Sequence, residues 1–257
     1  MPRPVPPQVI PRPPTWRPGG PAPWADVPAS ARTGIGLDRV LDALEVVGQR
    51  GPVPSGIGSD RALGPAILVN EANAPAVRHV NAGVLAVMWE AQGETRLLLT
   101  RRSSAMRTHK GEVSFPGGRL DGEEDPAAAA LREAYEEVAL DPGLVELVGW
   151  IHPVLTMVSG SLIMPVLATV ATRPHLVASP VEVERVFDVS LAELADPQIF
   201  HEERWSIPGR TIPGTDDDSF AVWFFEVAGE MVWGATARMI HELLRIVLMG
   251  DGGRSSD

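Results

Sequence analysis

Residues 117–140 read GGRLDGEEDPAAAALREAYEEVAL, a loop that leads into a helix. Asp125 is a suitable N-cap, and Pro126 suits the first helical position because its missing N–H would have no intrahelical partner there. The alanines that follow favour a helix. The Asp-Pro-Gly sequence at 141–143 predicts where that helix ends.

The predicted helix has one acidic face and one apolar face. At about 100° per residue, Glu133, Glu136 and Glu137 lie together, which costs roughly a few tenths of a kcal/mol per like-charged pair. A hard divalent cation such as Mg²⁺ or Mn²⁺ reverses that penalty because it prefers carboxylate oxygens. Glu124 and the backbone of Gly118 could close such a site from the preceding loop. The alternative is a solvated acidic face. The apolar face comprises Ala127, Leu131, Ala134 and Val138.

The acidic residues of the helix follow Gly118 and Glu124 of the loop at defined sequence spacings. Gly118 is followed after five residues by Glu124, and after seven more by the run REAYEE at 132–137. This arrangement resembles the signature box of the Nudix hydrolases, which cleave nucleoside diphosphates linked to another moiety. The resemblance implies an α+β protein with the Nudix fold, an α/β/α sandwich around a mixed β-sheet.

The same resemblance implies roles for residues of the box. Arg132 would orient the glutamates. Glu136 and Glu137 would hold the Mg²⁺ or Mn²⁺ cofactor, and Glu133 would be a further metal ligand or the base that activates water. The metal would neutralise diphosphate oxygens and lower the pKa of bound water. One position departs from the box, because Ala139 stands where Gly is usual, and Ala costs about 1 kcal/mol there if φ is positive.

A second motif lies directly upstream of the box. It comprises LLTRRSS at 98–104 and Phe-Pro-Gly-Gly at 115–118, with Arg107, His109 and Lys110 between them. This segment resembles the extra motif of the coenzyme A pyrophosphatase branch of the Nudix family. The resemblance implies hydrolysis of coenzyme A, or one of its derivatives, to 3′,5′-ADP and 4′-phosphopantetheine.

Basic residues are concentrated in this region of an otherwise acidic chain. Such a cluster would hold a multiply phosphorylated ligand, and coenzyme A carries both a diphosphate and a 3′-phosphate. Arg102 and Lys110 are the preferred contacts, although any one of these residues could simply offset nearby acids. The candidate substrate contacts are Arg101, Arg102, Arg107, His109, Lys110 and Arg119.

Two acidic residues further along the chain are alternative general bases. Glu182 and Glu184 follow a loop marked by proline, and Nudix enzymes often draw an extra carboxylate from such a loop. The competing interpretation places both at exposed positions of a strand. His152 and His175 have no partner at ligand spacing, so we interpret both as structural.

The overall composition limits the possible functions. The chain has 257 residues, with 22 basic and 33 acidic side chains and a formal net charge of −11, which argues against a nucleic-acid surface. It has no Cys, so disulfides, thiolate zinc sites and Cys nucleophiles are excluded. The sequence shows neither a signal-peptide core nor an apolar run of about 18 residues. We therefore expect a soluble cytoplasmic protein that binds a small molecule and neither nucleic acid nor a membrane.

The chain divides into four predicted regions. Residues 1–33 are rich in proline, and we expect an extended or disordered arm that stays outside the β-sheets because proline lacks an N–H donor. The alternative is an arm that docks in a groove or binds a partner, which Trp16 and Trp24 leave open. Residues 34–77 hold a helix and a connector, 78–250 form the Nudix domain, and 251–257 form a disordered tail. Periodicity predicts the individual elements. These are strands at 80–89, 95–100, 144–152, 162–170, 181–189 and 220–227, a hairpin turn at 92–94, and helices at 36–48, 191–194 and 235–248.

Two other functions stay open at this point. The chain could hydrolyse another nucleoside diphosphate derivative, such as ADP-ribose or NADH, or it could bind a nucleotide and regulate a partner without turnover. Regulators of that kind usually lose carboxylates of the box. This chain keeps Glu124, Glu133, Glu136 and Glu137. A homodimer is possible, and the sequence does not decide it.

Overall fold

The computed structural model describes residues 8–54, 79–106, 109–156, 161–209 and 217–251. These residues form two β-sheets and four α-helices. The strands are β1 (Thr15–Pro18), β2 (Ala82–Ala91), β3 (Glu94–Arg102), β4 (Val113–Ser114), β5 (Gly117–Arg119), β6 (Glu146–Trp150), β7 (Val154–Leu155), β8 (Leu162–Thr169), β9 (Val183–Ser190), β10 (Phe200–Ser206), β11 (Ser219–Val227) and β12 (Glu230–Trp233). The helices are α1 (Leu37–Val46), α2 (Pro126–Val138), α3 (Leu191–Leu194) and α4 (Gly234–Met249).

The larger sheet has eight strands and a mixed topology. Its main path runs β4-β3-β2-β8-β6, with β5 paired to β2, β7 to β8 and β9 to β3. β2 and β8 are parallel, and the other pairs are antiparallel. α2 packs on one face of this sheet, and α1, α3 and α4 pack on the other. The predicted α+β class, with helices on both faces of a mixed sheet, is confirmed.

β2 and β3 form the hairpin predicted around residues 92–94. Ala91 pairs with Glu94, so Gln92 and Gly93 make a two-residue turn, and both have positive φ (57° and 75°). A two-residue turn of this kind matches the right-handed twist of the strands that it joins. The hairpin places β3 beside β2 and brings Arg102, at the end of β3, to the acidic face of α2.

The smaller sheet was not predicted, and one of its strands comes from the proline-rich arm. β1 pairs antiparallel with β10, and the order continues through β11 to β12. The prediction that the arm stays outside the sheets is therefore wrong. Thr15, Trp16 and Arg17 each keep a backbone N–H, and β1 is an edge strand, where a proline such as Pro18 is tolerated.

The arm also supplies part of the hydrophobic core. Trp24 is fully buried, and its ring centroid lies 5.3 Å from that of Phe200 and 6.2 Å from that of Phe225. It belongs to the same buried cluster as residues of α1 and α4. The described part of the arm is therefore packed against the domain rather than separate from it.

The other predicted elements lie close to their predicted positions. The helix predicted at 36–48 is α1, the helix predicted at 235–248 is α4, and each predicted strand corresponds to a strand of one of the two sheets. Most of the predicted connector and tail lies outside the described residues. Each helix in the described part of the chain is too short or too polar to cross a membrane.

Candidate active site

α2 begins as its sequence predicts and lies directly against β2. The Asp125 carboxylate accepts hydrogen bonds from the N–H groups of Ala127 (2.8 Å) and Ala128 (3.3 Å), which caps the helix. At Gly83 of β2, a side chain would overlap the backbone carbonyl of Pro126. Glycine therefore lets the first turn of α2 approach the sheet closely.

Two glycines bring backbone next to the acidic face of α2. Gly117 and Gly118 lie in β5, which pairs with β2. A side chain at Gly118 would overlap the Glu133 carboxylate, and one at Gly117 would overlap the Gly83 carbonyl. Because the β5 backbone and the Glu133 carboxylate are in contact, oxygen atoms from both could reach one ion.

Arg132 organises three of the glutamates. Its Nε and Nη2 donate to the two oxygens of Glu124 (3.1 and 2.9 Å), and its Nη1 donates to Oε1 of Glu133 (2.9 Å). The Glu136 carboxylate lies 3.7 Å from the same Nη1. The hydrogen bonds to Glu124 and Glu133 raise the pKa of Arg132, and Arg132 lowers the pKa of Glu124. This geometry fits the orienting role expected of Arg132. Both oxygens of Glu124 point at its guanidinium.

Glu137 is the most deeply buried carboxylate of this group. Its side chain is 4% exposed, compared with 54% for Glu136. Nη1 of Arg102 donates to Oε1 of Glu137 (3.2 Å), and the N–H of Gly117 donates to Oε2 (3.3 Å). Burial raises the pKa of Glu137 to about 7, although Arg102 and the Gly117 N–H act in the opposite direction. A carboxylate that has lost its water in this way is strongly stabilised by a nearby cation.

The acidic cluster consists of Glu124, Glu133, Glu136 and Glu137. Its donor set fits a divalent cation, although its present pairing does not form a closed site. Mg²⁺ and Mn²⁺ prefer carboxylate and carbonyl oxygens, and Glu133 borders both Glu137 and the Gly118 backbone. Among the described residues, no group of three or more His, Asp or Glu side chains is arranged to hold an ion. Three of the carboxylates instead pair with arginine: Glu124 and Glu133 with Arg132, and Glu137 with Arg102.

The structure separates the two downstream candidates for the base. Glu182 lies close enough to Glu137 to raise the pKa of that carboxyl, and its carbonyl accepts a hydrogen bond from the Ser103 N–H (2.7 Å). Glu184 instead lies 3.4 Å from Nε of Arg101 and forms an ion pair with it. Of the two, Glu182 lies beside the acidic cluster, because the Ser179 N–H of its loop donates to the Glu137 carbonyl (2.8 Å) and the Glu182 N–H donates to the Ser179 carbonyl (3.1 Å).

Arg101 lies away from the acidic cluster. It is 5% exposed, pairs with Glu230 of β12 and also contacts Glu184. Glu230 in turn accepts a hydrogen bond from Nη1 of Arg185 (2.9 Å). This network joins β3, β9 and β12 and has the buried Arg101–Glu230 pair at its centre. The position does not fit the predicted role of Arg101 in binding substrate.

Three further candidate substrate contacts lie at the surface. His109, Lys110 and Arg119 are exposed. Arg107 lies outside the described residues. The carbonyl of Arg119 accepts a hydrogen bond from Nη2 of Arg132 (3.0 Å), which fixes the backbone of one of these cations beside the acidic cluster.

Ala139 ends α2 in the left-handed conformation, with φ of 54° and ψ of 33°. An alanine in this region costs about 1 kcal/mol relative to glycine because its Cβ crowds the following carbonyl. Its N–H still donates to the Tyr135 carbonyl (2.9 Å). The departure from the box therefore affects stability at the helix end and leaves the acidic face of α2 intact.

The sequence did not reveal two buried carboxylates that hold the fold together. Nδ1 of His152 contacts Oε1 of Glu242 and lies 2.9 Å from Nε2 of Gln49, which agrees with a structural role for this histidine. His175 is exposed. Glu242 pairs with His152, 90 residues away, and Glu230 pairs with Arg101, 129 residues away. Each is a single acidic residue in an apolar segment. That pattern indicates a buried acid, but it does not indicate which residue the acid pairs with.

A family model described as the NUDIX domain matches residues 78–208. The matched segment is about half of the chain and includes α2, β5 and the upstream motif. It also contains every described residue of the acidic cluster.

Two curated relatives and one solved structure are similar to the chain. "Uncharacterized Nudix hydrolase NudL" from Escherichia coli (strain K12) is 36% identical over 178 residues, which cover 69% of this chain and 88% of that protein. The protein with the same description from Enterobacter sp. (strain 638) is 40% identical over 148 residues, which cover 57% and 72%. The crystal structure of RenU, a Nudix hydrolase from M. smegmatis, is similar at a TM-score of 0.38 and 24% identity, covering 47% of this chain and 78% of that chain. This structural similarity is weak, whereas the sequence similarity spans most of the Escherichia coli relative.

Proposed function

We propose that this chain, which belongs to the Nudix hydrolase family, hydrolyses the diphosphate bond of coenzyme A or one of its derivatives. Hydrolysis of a nucleoside diphosphate derivative follows from the family. The choice of coenzyme A rests on the motif at 98–118, which resembles that of the coenzyme A pyrophosphatases and meets the acidic cluster at Arg102. The products would be 3′,5′-ADP and 4′-phosphopantetheine.

The acidic cluster holds Mg²⁺ or Mn²⁺ in this proposal. When bound, the metal supplies charge neutralisation for the diphosphate and lowers the pKa of water. Glu124 differs from the other carboxylates because one guanidinium, that of Arg132, donates to both of its oxygens. Glu124 therefore positions Arg132 in this proposal and would join the ion only if that two-point pair opened. The groups that hold the ion are the carboxylates of Glu133, Glu136 and Glu137 and the backbone of Gly118.

The general base removes a proton from the attacking water. Glu133 and Glu182 are the candidates. Glu133 shares a face of α2 with Glu137, and the loop that carries Glu182 is joined to Glu137 through the Ser179 N–H, which donates to the Glu137 carbonyl (2.8 Å). Arg132 already holds one oxygen of Glu133, whereas Glu182 has no ion pair within the described part of the chain. This difference favours Glu182 as the base and Glu133 as a metal ligand.

The cations around the cluster suit the phosphates of coenzyme A. Arg102 lies at the cluster itself, where a guanidinium can pair with diphosphate oxygens through charge-assisted hydrogen bonds. Lys110 and Arg119 are exposed and lie at positions where they could meet further phosphate oxygens. His109 is exposed as well, although its Nδ1 lies 2.8 Å from Oε2 of Glu112. Coenzyme A has a 3′-phosphate that ADP-ribose and NADH lack, so it uses more of these cations.

A substrate panel tests the proposal. The full chain is incubated with coenzyme A, 3′-dephospho-coenzyme A, ADP-ribose or NADH, with Mg²⁺, Mn²⁺ or a chelator, and the products are separated by chromatography. We expect metal-dependent turnover of coenzyme A, with kcat/KM about tenfold or more above that of the dephospho form, because a hydrogen bond to a charged group contributes about 1.5–3 kcal/mol. Equal values would contradict the 3′-phosphate contact, and turnover of ADP-ribose or NADH alone would replace coenzyme A as the substrate.

A matched pair of variants completes the test. Glu137→Gln removes a charge from the acidic cluster, and we expect kcat to fall by about 100-fold or more. Glu45→Gln makes the same change at an exposed position of α1, and kcat should not change. If the wild type binds coenzyme A and turns over no diphosphate with any metal, the chain is a nucleotide-binding regulator instead.

A further inference from the structure

The two arginines at the acidic cluster are not equally engaged. Arg132 makes four side-chain hydrogen bonds, three to glutamate oxygens and one to the Arg119 carbonyl. Within the described residues, Arg102 makes one, from Nη1 to Oε1 of Glu137. The Nε of Arg102 is buried and has no partner there. Arg102 therefore keeps donors for a second acceptor.

Arg102 is also the cation on which Glu137 depends. The Glu137 side chain is 4% exposed and that of Arg102 is 22% exposed, so water contributes little to the carboxylate. Removing the guanidinium without a replacement would leave a buried charge unpaired, which is costly. A divalent cation bound to the same carboxylate is such a replacement.

We propose that Arg102 is an exchangeable counter-ion of Glu137, which leaves the carboxylate when a divalent cation binds there and then donates to an oxygen of the substrate diphosphate. This inference rests on the proposed function and adds that one side chain couples the binding of metal to the binding of diphosphate. The register between β3 and β9 skips Glu184, so the irregularity lies in β9 and β3 keeps its alternation. Arg102, at the end of β3, therefore faces Glu137 of α2, whereas Arg101 faces Glu230.

The exchange has opposite consequences for the two ligands. Arg102 competes with a cation for Glu137, so it weakens metal binding in the absence of substrate. Once the metal is present, the same guanidinium strengthens the binding of a diphosphate. A residue with a purely structural role would support both.

Binding measurements on the full chain test the exchange. Calorimetric titration gives the affinity for Mn²⁺ without nucleotide, well above neutral pH, and a second titration gives the affinity for α,β-methylene-ADP at saturating Mg²⁺. The variants are Arg102→Gln and the control Arg173→Gln. Arg173 is a matched control because it is also an arginine that pairs with a carboxylate, here Asp188, and its side chain is 71% exposed. Asp188 of β9 lies opposite Leu98 of β3, four residues from Arg102.

We expect Arg102→Gln to bind Mn²⁺ about threefold or more tightly than the wild type and the analogue about tenfold or more weakly. Arg173→Gln should change neither affinity. Arg102→Lys keeps the positive charge and loses the planar guanidinium with its paired N–H donors. This variant should bind Mn²⁺ as tightly as the wild type does. It should bind the analogue several-fold more weakly. This variant keeps the test decisive if Arg102→Gln does not fold.

The outcomes separate this inference from the proposed function. Unchanged or weaker Mn²⁺ binding by folded Arg102→Gln, or unchanged binding of the analogue, overturns the exchange and leaves the proposed function standing. If Arg102→Gln does not fold, Arg102→Lys that binds the analogue as tightly as the wild type also overturns the exchange. A wild type that binds no Mn²⁺ overturns both.

Discussion

Arg101 and Arg102 are neighbours in sequence, yet their side chains lie on opposite faces of the larger sheet. Arg101 pairs with Glu230 of β12, and Arg102 pairs with Glu137 of α2. Alternation of side chains along a strand accounts for this division. The first arginine joins the two sheets, and the second faces the acidic cluster.

Loss of Arg101 should therefore affect stability. We expect Arg101→Gln to lower the free energy of unfolding by about 3 kcal/mol, because Glu230 would keep its buried charge and lose a partner. Denaturant unfolding followed by circular dichroism measures the change. Arg173→Gln removes a largely exposed arginine and should cost less than about 1 kcal/mol. Equal effects of the two variants would contradict a structural role for Arg101.

Ala139 offers a stabilising substitution. Because this residue is held at φ of 54°, we expect Ala139→Gly to raise the free energy of unfolding by about 0.5–1 kcal/mol. The same change at Ala128, exposed within α2, should lower it by a similar amount because glycine disfavours a helix. Denaturant unfolding of both variants checks the prediction, and destabilisation by Ala139→Gly would show that the left-handed conformation is wrong.

The proline-rich arm should be essential to the fold. Trp24 is fully buried, and we expect Trp24→Ala to cost about 3–5 kcal/mol of unfolding free energy. Trp16 lies on the same arm and is 46% exposed, so Trp16→Ala should cost about 1 kcal/mol or less. Thermal unfolding of the two variants measures the difference. A small effect of Trp24→Ala would mean that the arm is not docked as described.

His241 should make stability depend on pH. Burial, with the charges of Arg245 and Arg238, lowers its pKa from 6.5 to about 3, and its ring stacks on Trp223 at 3.8 Å. Below about pH 6.5 the unfolded chain binds a proton that the folded chain does not, so this contribution is complete above that pH and is lost as the pH falls toward 3.

The size of this effect is measurable by substitution. Between pH 7.5 and 5, His241 should remove about 2 kcal/mol of unfolding free energy. His241→Phe keeps an aromatic ring beside Trp223 and has no proton to bind, so its loss over the same interval should be smaller by that amount. Denaturant unfolding at the two pH values tests this, and identical pH dependence of the two proteins would count against it.

The acidic cluster was predictable because its determinants are local. The Asp125 cap, Pro126 and the alanines define α2 before any tertiary contact is known, and helical spacing then places the glutamates on one face. The apolar pattern likewise predicted five strands of the larger sheet, one strand of the smaller sheet and α4. The strands of two or three residues in the larger sheet, β4, β5 and β7, were not predicted.

Long-range pairing was not predictable from the same patterns. β1 joins the smaller sheet through β10, where Thr15 pairs with Ser206 at a separation of about three quarters of the chain. The surrounding prolines obscure the fact that residues 15–17 keep three consecutive backbone N–H donors. Arg101 and Arg102 look equivalent in sequence because their partners, Glu230 and Glu137, come from different elements. Alternation along a strand predicts that two neighbouring side chains point to opposite faces of the sheet. Which residue each of them pairs with depends on the fold.

Crystals of the full chain soaked in Mn²⁺, with data collected at the manganese absorption edge, test the acidic cluster most directly. We expect an anomalous peak bordered by the carboxylates of Glu133 and Glu137 and by the Gly118 backbone. No peak at that position, with Glu133 still on Arg132 and Glu137 still on Arg102, would contradict a metal-dependent hydrolase built on α2.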